Sequence, residues 1–245
     1  IQQGIADIES HMLHFLENHD EQRIPSNDFA GLVGGAQMGK PALVVSALMS
    51  RSPTLIYFGQ EVGEDGSEDM GFGKPSRTTI FDYAGVPAHQ RWMNNGKFDG
   101  AQLSAEEQAL RDYYVKVLRI SAFHPAMLGE YQGIPILANH LYSVETDAAG
   151  RVTRLGNDSA AKVAAFVRYT ATNSLLVMSH FSPSESVNLN LPLGRELVQK
   201  MMLGSGNHKV TDMLTGKQYS LDVEEQQAVF RATLDPMQSL VIQLK

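Results

Sequence analysis

Cysteine is absent from this 245-residue chain. No disulfide framework, Cys-based zinc site or thiol nucleophile is therefore open to it, and reducing and oxidising compartments are both compatible. The compartment stays open on these grounds, with an extracellular or periplasmic location favoured over the cytoplasm. No apolar run reaches the roughly 18 residues expected of a membrane span, and no basic, apolar, small-residue leader stands at the start. Positive charge is also in short supply: 20 Lys and Arg face 27 Asp and Glu, a formal net charge of −7. That balance argues against nucleic acid as a partner, because nucleic-acid binders carry a clustered basic face. A neutral, polyhydroxylated ligand would be unaffected. Internal repeats, low-complexity tracts and linkers are missing too. The first residue is Ile1 rather than Met, so the chain is expected to begin inside a longer product, with any leader in the part not seen.

What is present suits globular protein: 43% of residues are hydrophobic and 19% charged, enough for one large or two small cores. Two domains are expected, because the pattern changes along the chain. Residues 1–10 read as the end of a helix, with Ile1, Ile5 and Ile8 on one face. Residues 12–16 then form an apolar run with no alternation, as in a parallel strand covered on both faces. His14 interrupts it and reads as a hydrogen-bonded core residue. Residues 24–39, rich in Gly and Pro, are loop chemistry. Pro41 suits a helix's first turn, and residues 42–49 are apolar nearly all round, which predicts a buried helix. Residues 54–58 make the next strand. Strand, helix and strand with short joins is the pattern of a parallel crossover.

Residues 59–103 lack strong periodicity, and an insertion of that length is usually functional. It opens with the acidic cluster of residues 64–69, where the calcium-loop spacing fails because Met70 stands at the place of the turn glycine. A solvated acidic loop is expected. Phe81, Tyr83, His89, Arg91 and Trp92 follow, suited either to stacking on a ligand or to anchoring the loop. Ser104 and Glu107 have the spacing of a capping box. The helix they open carries Leu110, Tyr113, Tyr114, Val117 and Leu118 on one stripe and runs to about Phe123. Beyond residue 136, eight short alternating runs are separated by turn residues: 140–145, 163–169, 175–181, 187–191, 208–213, 219–223, 229–234 and 239–244. They predict an antiparallel sandwich.

The chemistry concentrates where the first strand ends, in Glu17, Asn18, His19 and Asp20. Four adjacent polar side chains are costly to bury, so the choice lies between a functional site and either a solvated turn or an Asn18/Asp20 helix cap. Phe15, Asn18, His19 and Asp20, with Arg23 after them, resemble the Phe-x-x-Asn-His-Asp motif that ends the seventh barrel strand in the alpha-amylase family of glycoside hydrolases. Residues 53–61, which end in Tyr57, Phe58, Gly59, Gln60 and Glu61, resemble that family's eighth strand. His124, Pro125 and Ala126 are similar to the end of its last barrel helix.

The resemblance implies a fold of class α/β plus all-β: the C-terminal part of a (β/α)8 barrel over residues 1–136, then an antiparallel β-sandwich over residues 137–245. It also implies part of a retaining glycosidase that cleaves α-glucosidic bonds in starch-like or maltooligosaccharide substrates. In this role Asp20 is the catalytic carboxylate that stabilises the transition state. Asn18, His19, Arg23, Gln60 and Glu61 are its substrate-binding neighbours, with Asn18 and Arg23 orienting Asp20. The nucleophile and the acid/base carboxyl of that family follow strands four and five, and neither motif occurs here. The chain alone is therefore expected to be inactive and to need the upstream part of the same protein as its partner. No metal ligands or cofactor are expected in this chain, and calcium would belong to the missing N-terminal part. The alternatives are a transglycosylase on the same scaffold and a non-catalytic glucan-binding or transport-associated homologue.

Overall fold

A computed structural model of the protein describes residues 8–26, 35–67, 73, 77–78 and 85–245. Most of the helix expected over residues 1–10 lies outside these, as do residues 27–34 of the glycine-rich loop, Glu68, Asp69, Phe81 and Tyr83. The chain forms two compact units, residues 1–118 and 119–245.

In the first unit, strand β1 (His14–Phe15), helix α1 (Gly39–Leu48) and strand β2 (Thr54–Leu55) follow one another. The two strands pair in parallel, His14 opposite Thr54 and Phe15 opposite Leu55, so the runs expected to be parallel neighbours are. Both are shorter than the apolar runs that announced them. A ladder needs partners, and among the described residues each strand has one. Met12, Leu13, Phe15 and Leu55 are accordingly exposed. Helix α1 buries Pro41, Leu43, Val44, Ala47 and Leu48 on one broad face, while Ala42, Val45 and Ser46 on the other are half-buried. Pro41 sits in the first turn, where a missing N–H goes unnoticed. His14 donates its Nδ1–H to the Ser46 carbonyl at 3.1 Å, which ties β1 to α1 and makes this histidine structural.

Helices α2 (Pro87–Met93) and α3 (Ala105–Phe123) complete this half of the chain. The capping box of α3 forms as predicted: Ser104 N–H donates to Glu107 Oε2 at 2.8 Å, and Glu107 N–H to Ser104 Oγ at 3.2 Å. Leu110, Tyr114 and Val117 on its stripe are buried, at the spacings of four and three that put side chains on one helical face.

The second unit is one curled antiparallel sheet. Its strands are β3 (Glu130–Gly133), β4 (Leu141–Thr146), β5 (Val152–Arg154), β6 (Val163–Tyr169), β7 (Ser174–His180), β8 (Val187–Leu193), β9 (Gly206–Asp212), β10 (Gln218–Glu224), β11 (Gln227–Leu234) and β12 (Ser239–Gln243). Their spatial order is β3-β6-β7-β12-β9-β10-β11-β8-β4-β5. All eight alternating runs are strands. The sheet also reaches back past position 136, because Glu130–Gly133 pairs with Phe166 to Tyr169. The Glu-Tyr-Gln-Gly sequence of β3 has no apolar alternation to reveal it. Helices α4 (Asn157–Ala160) and α5 (Arg195–Lys200) fill two connections.

Alternation does what the pleat requires: Val187, Leu189, Leu191 and Leu193 of β8 are buried in turn. They share one core with Val167, Leu176 and Met178 from β6 and β7 and with Leu221, Phe230 and Ile242. The sheet narrows between β9 and β12, which pair only through Ile242–Asp212 and Gln243–Thr211. There the Asp212 carboxylate, fully buried, accepts the Val241 N–H at 3.0 Å and the Thr215 hydroxyl at 2.6 Å. Together with the Met213 N–H, which donates to the Val241 carbonyl at 2.8 Å, this side chain extends the ladder across a narrow join.

Candidate functional site

Because β1 and β2 are parallel and in register, the chain leaves both strands at the same edge of the sheet. That edge, the C-terminal end of adjacent parallel strands, is where α/β folds build sites. After β1 comes Glu17, only 1% exposed. Its Oε1 accepts the Ile24 N–H at 2.6 Å and its Oε2 accepts Arg23 Nη1–H at 2.9 Å. Burial pushes the Glu17 carboxyl above its ordinary value, while the Arg23 charge and the Ile24 N–H pull the other way. Glu17 thereby closes a loop at its base, and Asn18, His19 and Asp20 stand on that loop.

Within it, Asn18 Oδ1 accepts the N–H groups of Asp20 at 2.7 Å and Glu21 at 2.9 Å. Asn18 is the cap of a turn, and it orients Asp20 through the backbone. His19 Nε2 lies 3.3 Å from Asp20 Oδ2, and the Asp20 side chain is 76% exposed. The imidazole and the carboxylate thus stand side by side, open to solvent, at the strand ends.

Of the two roles expected of Arg23, contact with a substrate and orientation of Asp20, its burial is at odds with the first. It is fully buried and donates to Glu17, to Thr78 Oγ1 at 3.2 and 2.8 Å and to the Phe58 carbonyl at 2.8 Å. Its guanidinium also lies over the Tyr57 and Phe58 rings, 4.4 and 5.0 Å from their centroids. A guanidinium held by a carboxylate, a hydroxyl, a carbonyl and two rings has no surface left for a sugar, so Arg23 supports the loop from below. Gln60, 3% exposed, is similarly placed: Oε1 accepts the Tyr57 N–H and Nε2–H donates to Tyr114 Oη, both at 3.2 Å. Gly59 takes a left-handed φ of +79° just before it, and a Cβ there would meet the Glu64 Cβ at 2.9 Å. Glu61 follows, half-buried, in the 3-10 turn Gln60–Val62. Of the expected site residues, Asn18, His19 and Asp20 stand together at the strand end, Glu61 lies in the neighbouring turn, and Arg23 and Gln60 lie behind them.

The acidic cluster corrects a second expectation. Glu64 is not solvated but fully buried, and its Oε2 accepts the N–H groups of Ala88 at 2.9 Å and His89 at 3.1 Å at the start of α2. Burial pushes this carboxyl up, and those N–H groups and Arg23 oppose the shift. His89 and Trp92 join a chain of ring contacts, Phe58–His89 at 5.2 Å, His89–Trp92 at 5.6 Å and Trp92–Phe98 at 5.6 Å. They anchor the insertion. Arg91 forms an ion pair with Glu107. Reading by sequence named Glu17 without its supporting role, took Glu64 as solvated, and passed over Arg77 and Thr78. The one available signal was the pair of opposite charges, Glu17 and Arg23, that brackets the polar motif.

The two parallel strands with their polar rim and the ten-stranded antiparallel sheet define a chain of class α/β plus all-β. No protein-family model and no curated protein matches the sequence. Solved structures do. An AmyP variant in complex with maltotriose matches at 16% identity with a TM-score of 0.60, over 100% of this chain and 44% of that one. The alpha-amylase from H. orenii matches at 17% identity and 0.54, over 99% and 43%. The Bacillus licheniformis trehalose-6-phosphate hydrolase matches at 18% and 0.54, over 99% and 46%. The chain thus has, over its whole length, the fold of part of the alpha-amylase family enzymes, in agreement with the motif resemblance. It spans less than half the length of these structures.

Proposed function

We propose that this chain is the portion of an alpha-amylase-type glycosidase that carries Asp20, its transition-state-stabilising carboxylate, with α-linked glucans such as maltooligosaccharides as substrates. The observation that carries the reading is the exposed His19–Asp20 pair at the shared C-terminal edge of two parallel strands, in a chain with that family's fold. AmyP is seen with maltose and maltotriose bound, which supports the choice of ligand. Retaining hydrolysis needs a nucleophile and an acid/base carboxyl roughly 5 Å apart, and positive charge develops on the sugar between them. Asp20 would accept hydroxyl hydrogen bonds that strengthen as that charge grows, and its own charge would stabilise the oxocarbenium-like centre. His19 would take a neighbouring hydroxyl, Asn18 holds the turn, and Glu61 belongs to the wall. Arg23 and Gln60 act from beneath.

The other two carboxylates are assigned to an upstream part of the protein, which would also cover Met12, Leu13, Phe15 and Leu55. Calcium, where the enzyme uses it, is assigned there as well. Among the described residues no helix is long and apolar enough to cross a membrane, and an extracellular or periplasmic location goes with the proposal.

The test is steady-state kinetics on the protein with its upstream part present. Asp20→Asn keeps shape and loses charge, so kcat on a maltooligosaccharide should fall by a factor on the order of 10³, about 4 kcal/mol, with a much smaller change in KM. The 245-residue chain by itself should release no reducing sugar. Near-normal turnover in Asp20→Asn would make the motif structural and bring the non-catalytic glucan-binding reading forward.

A further inference from the structure

The loop that carries Asp20 is gripped at two points by adjacent residues of a distant segment. Thr78 Oγ1 accepts from Arg23 Nε and Nη2 at the loop's base. Arg77 Nη1–H donates to the Asp20 carbonyl at 2.7 Å at its tip. The base is further closed by the Glu17–Ile24 and Glu17–Arg23 contacts, and the inside of the turn is held by Asn18 Oδ1. Among the described residues, the N–H groups of Asp20 and Glu21 are held by the loop's own Asn18. Arg77 reaches Asp20 from a distant segment, and it does so at the carbonyl, so the exposed carboxylate keeps its place beside His19.

We propose that Arg77 is a positioning residue for Asp20: it fixes the peptide on which the carboxylate is mounted, while Glu17 and Arg23 fix the ground under it. The inference rests on the catalytic reading of Asp20 and adds to it a segment that no motif marks. The physical logic is that a charge aimed at a developing cation works through its position, and a misplacement on the order of 1 Å can cost as much as 100-fold in rate. Arg77 is placed to act through the Asp20 peptide and not through its carboxylate. It is half-buried and its replacement keeps the buried Glu17–Arg23 pair, whereas replacing Glu17 would strand Arg23 and risk the fold.

The experiment is a double-mutant cycle in the protein with its upstream part present, read as kcat and KM on a maltooligosaccharide, with thermal unfolding measured alongside. Arg77→Gln should lower kcat by about tenfold with KM changed no more than about twofold, and Arg77→Lys, which keeps a cationic donor, should recover most of the loss. Added to Asp20→Asn, Arg77→Gln should cost nothing further, because the group it positions is already disabled. If Asp20→Asn lowers kcat strongly while Arg77→Gln leaves kcat unchanged, or lowers it equally in both backgrounds, the positioning role is wrong and the reading of Asp20 stands. If Asp20→Asn turns over normally, or the parent protein shows no glucosidase activity, the reading of Asp20 fails and the role of Arg77 goes with it.

Discussion

Two backbone N–H groups at the start of α2 have the Glu64 carboxylate as their partner, which makes this buried acid a cap. Glu64→Ala should destabilise the chain by about 2 kcal/mol in urea unfolding, since both donors lose their acceptor. Glu64→Gln, which keeps an acceptor oxygen, should cost much less. Removing Glu17 should be more damaging: Glu17→Ala leaves the buried Arg23 without its counter-ion, and breaking such a pair costs about 3–5 kcal/mol. In kinetics, His19→Ala should lower kcat less than Asp20→Asn does, because it takes away one hydroxyl contact and keeps the central charge. The Asn18-His19-Asp20 cluster was legible from sequence because three polar residues follow an apolar strand without a break. The burial of Glu64 was not, since an acid in an acidic run reads as solvated until residues 24 and 25 positions later fold back onto it. The same holds for Arg77 and Thr78, whose meaning lies in contacts made across more than 50 positions.

Helix α3 begins with a capping box whose Glu107 also binds Arg91. Burial alone would raise the Glu107 carboxyl, but hydrogen bonds from Arg91 and Ser104 outweigh it and hold the group below its ordinary 4.5. A carboxyl depressed in the folded state lends stability above its unfolded value, and that stability drains away as pH falls through the folded one. Melting temperature should therefore drop as the pH is taken below 4.5, and the Glu107→Gln variant should show a shallower drop. Ser104→Ala should cost about 1 kcal/mol at neutral pH. At this scale, alternation exposed eight of the ten sheet strands, and a capping box exposed α3. Strands β3 and β5 escaped because both are largely exposed and carry no buried face for a pattern to report. Strands β1 and β2 were announced by apolar runs longer than themselves, the runs reflecting a covering that two strands alone do not supply.

At the scale of the molecule, Met12 and Leu13 just before β1, Phe15 on β1 and Leu55 on β2 lie exposed. The isolated chain should bind a hydrophobic dye such as ANS, and the Leu13→Ser/Phe15→Ser variant should bind clearly less. No dye response in the parent chain would mean that this face is closed in solution. The other unit has its own point of weakness, the two residue pairs that join β9 to β12. A ladder that thin separates the sheet into two leaves, β3-β6-β7-β12 and β9-β10-β11-β8-β4-β5, bound at a spine that the Asp212 carboxylate stitches. Amide protons in the two leaves should therefore exchange with solvent as two cooperative blocks, each with its own opening free energy. Cutting the stitch with Asp212→Ala should let the leaves breathe independently long before the whole domain melts.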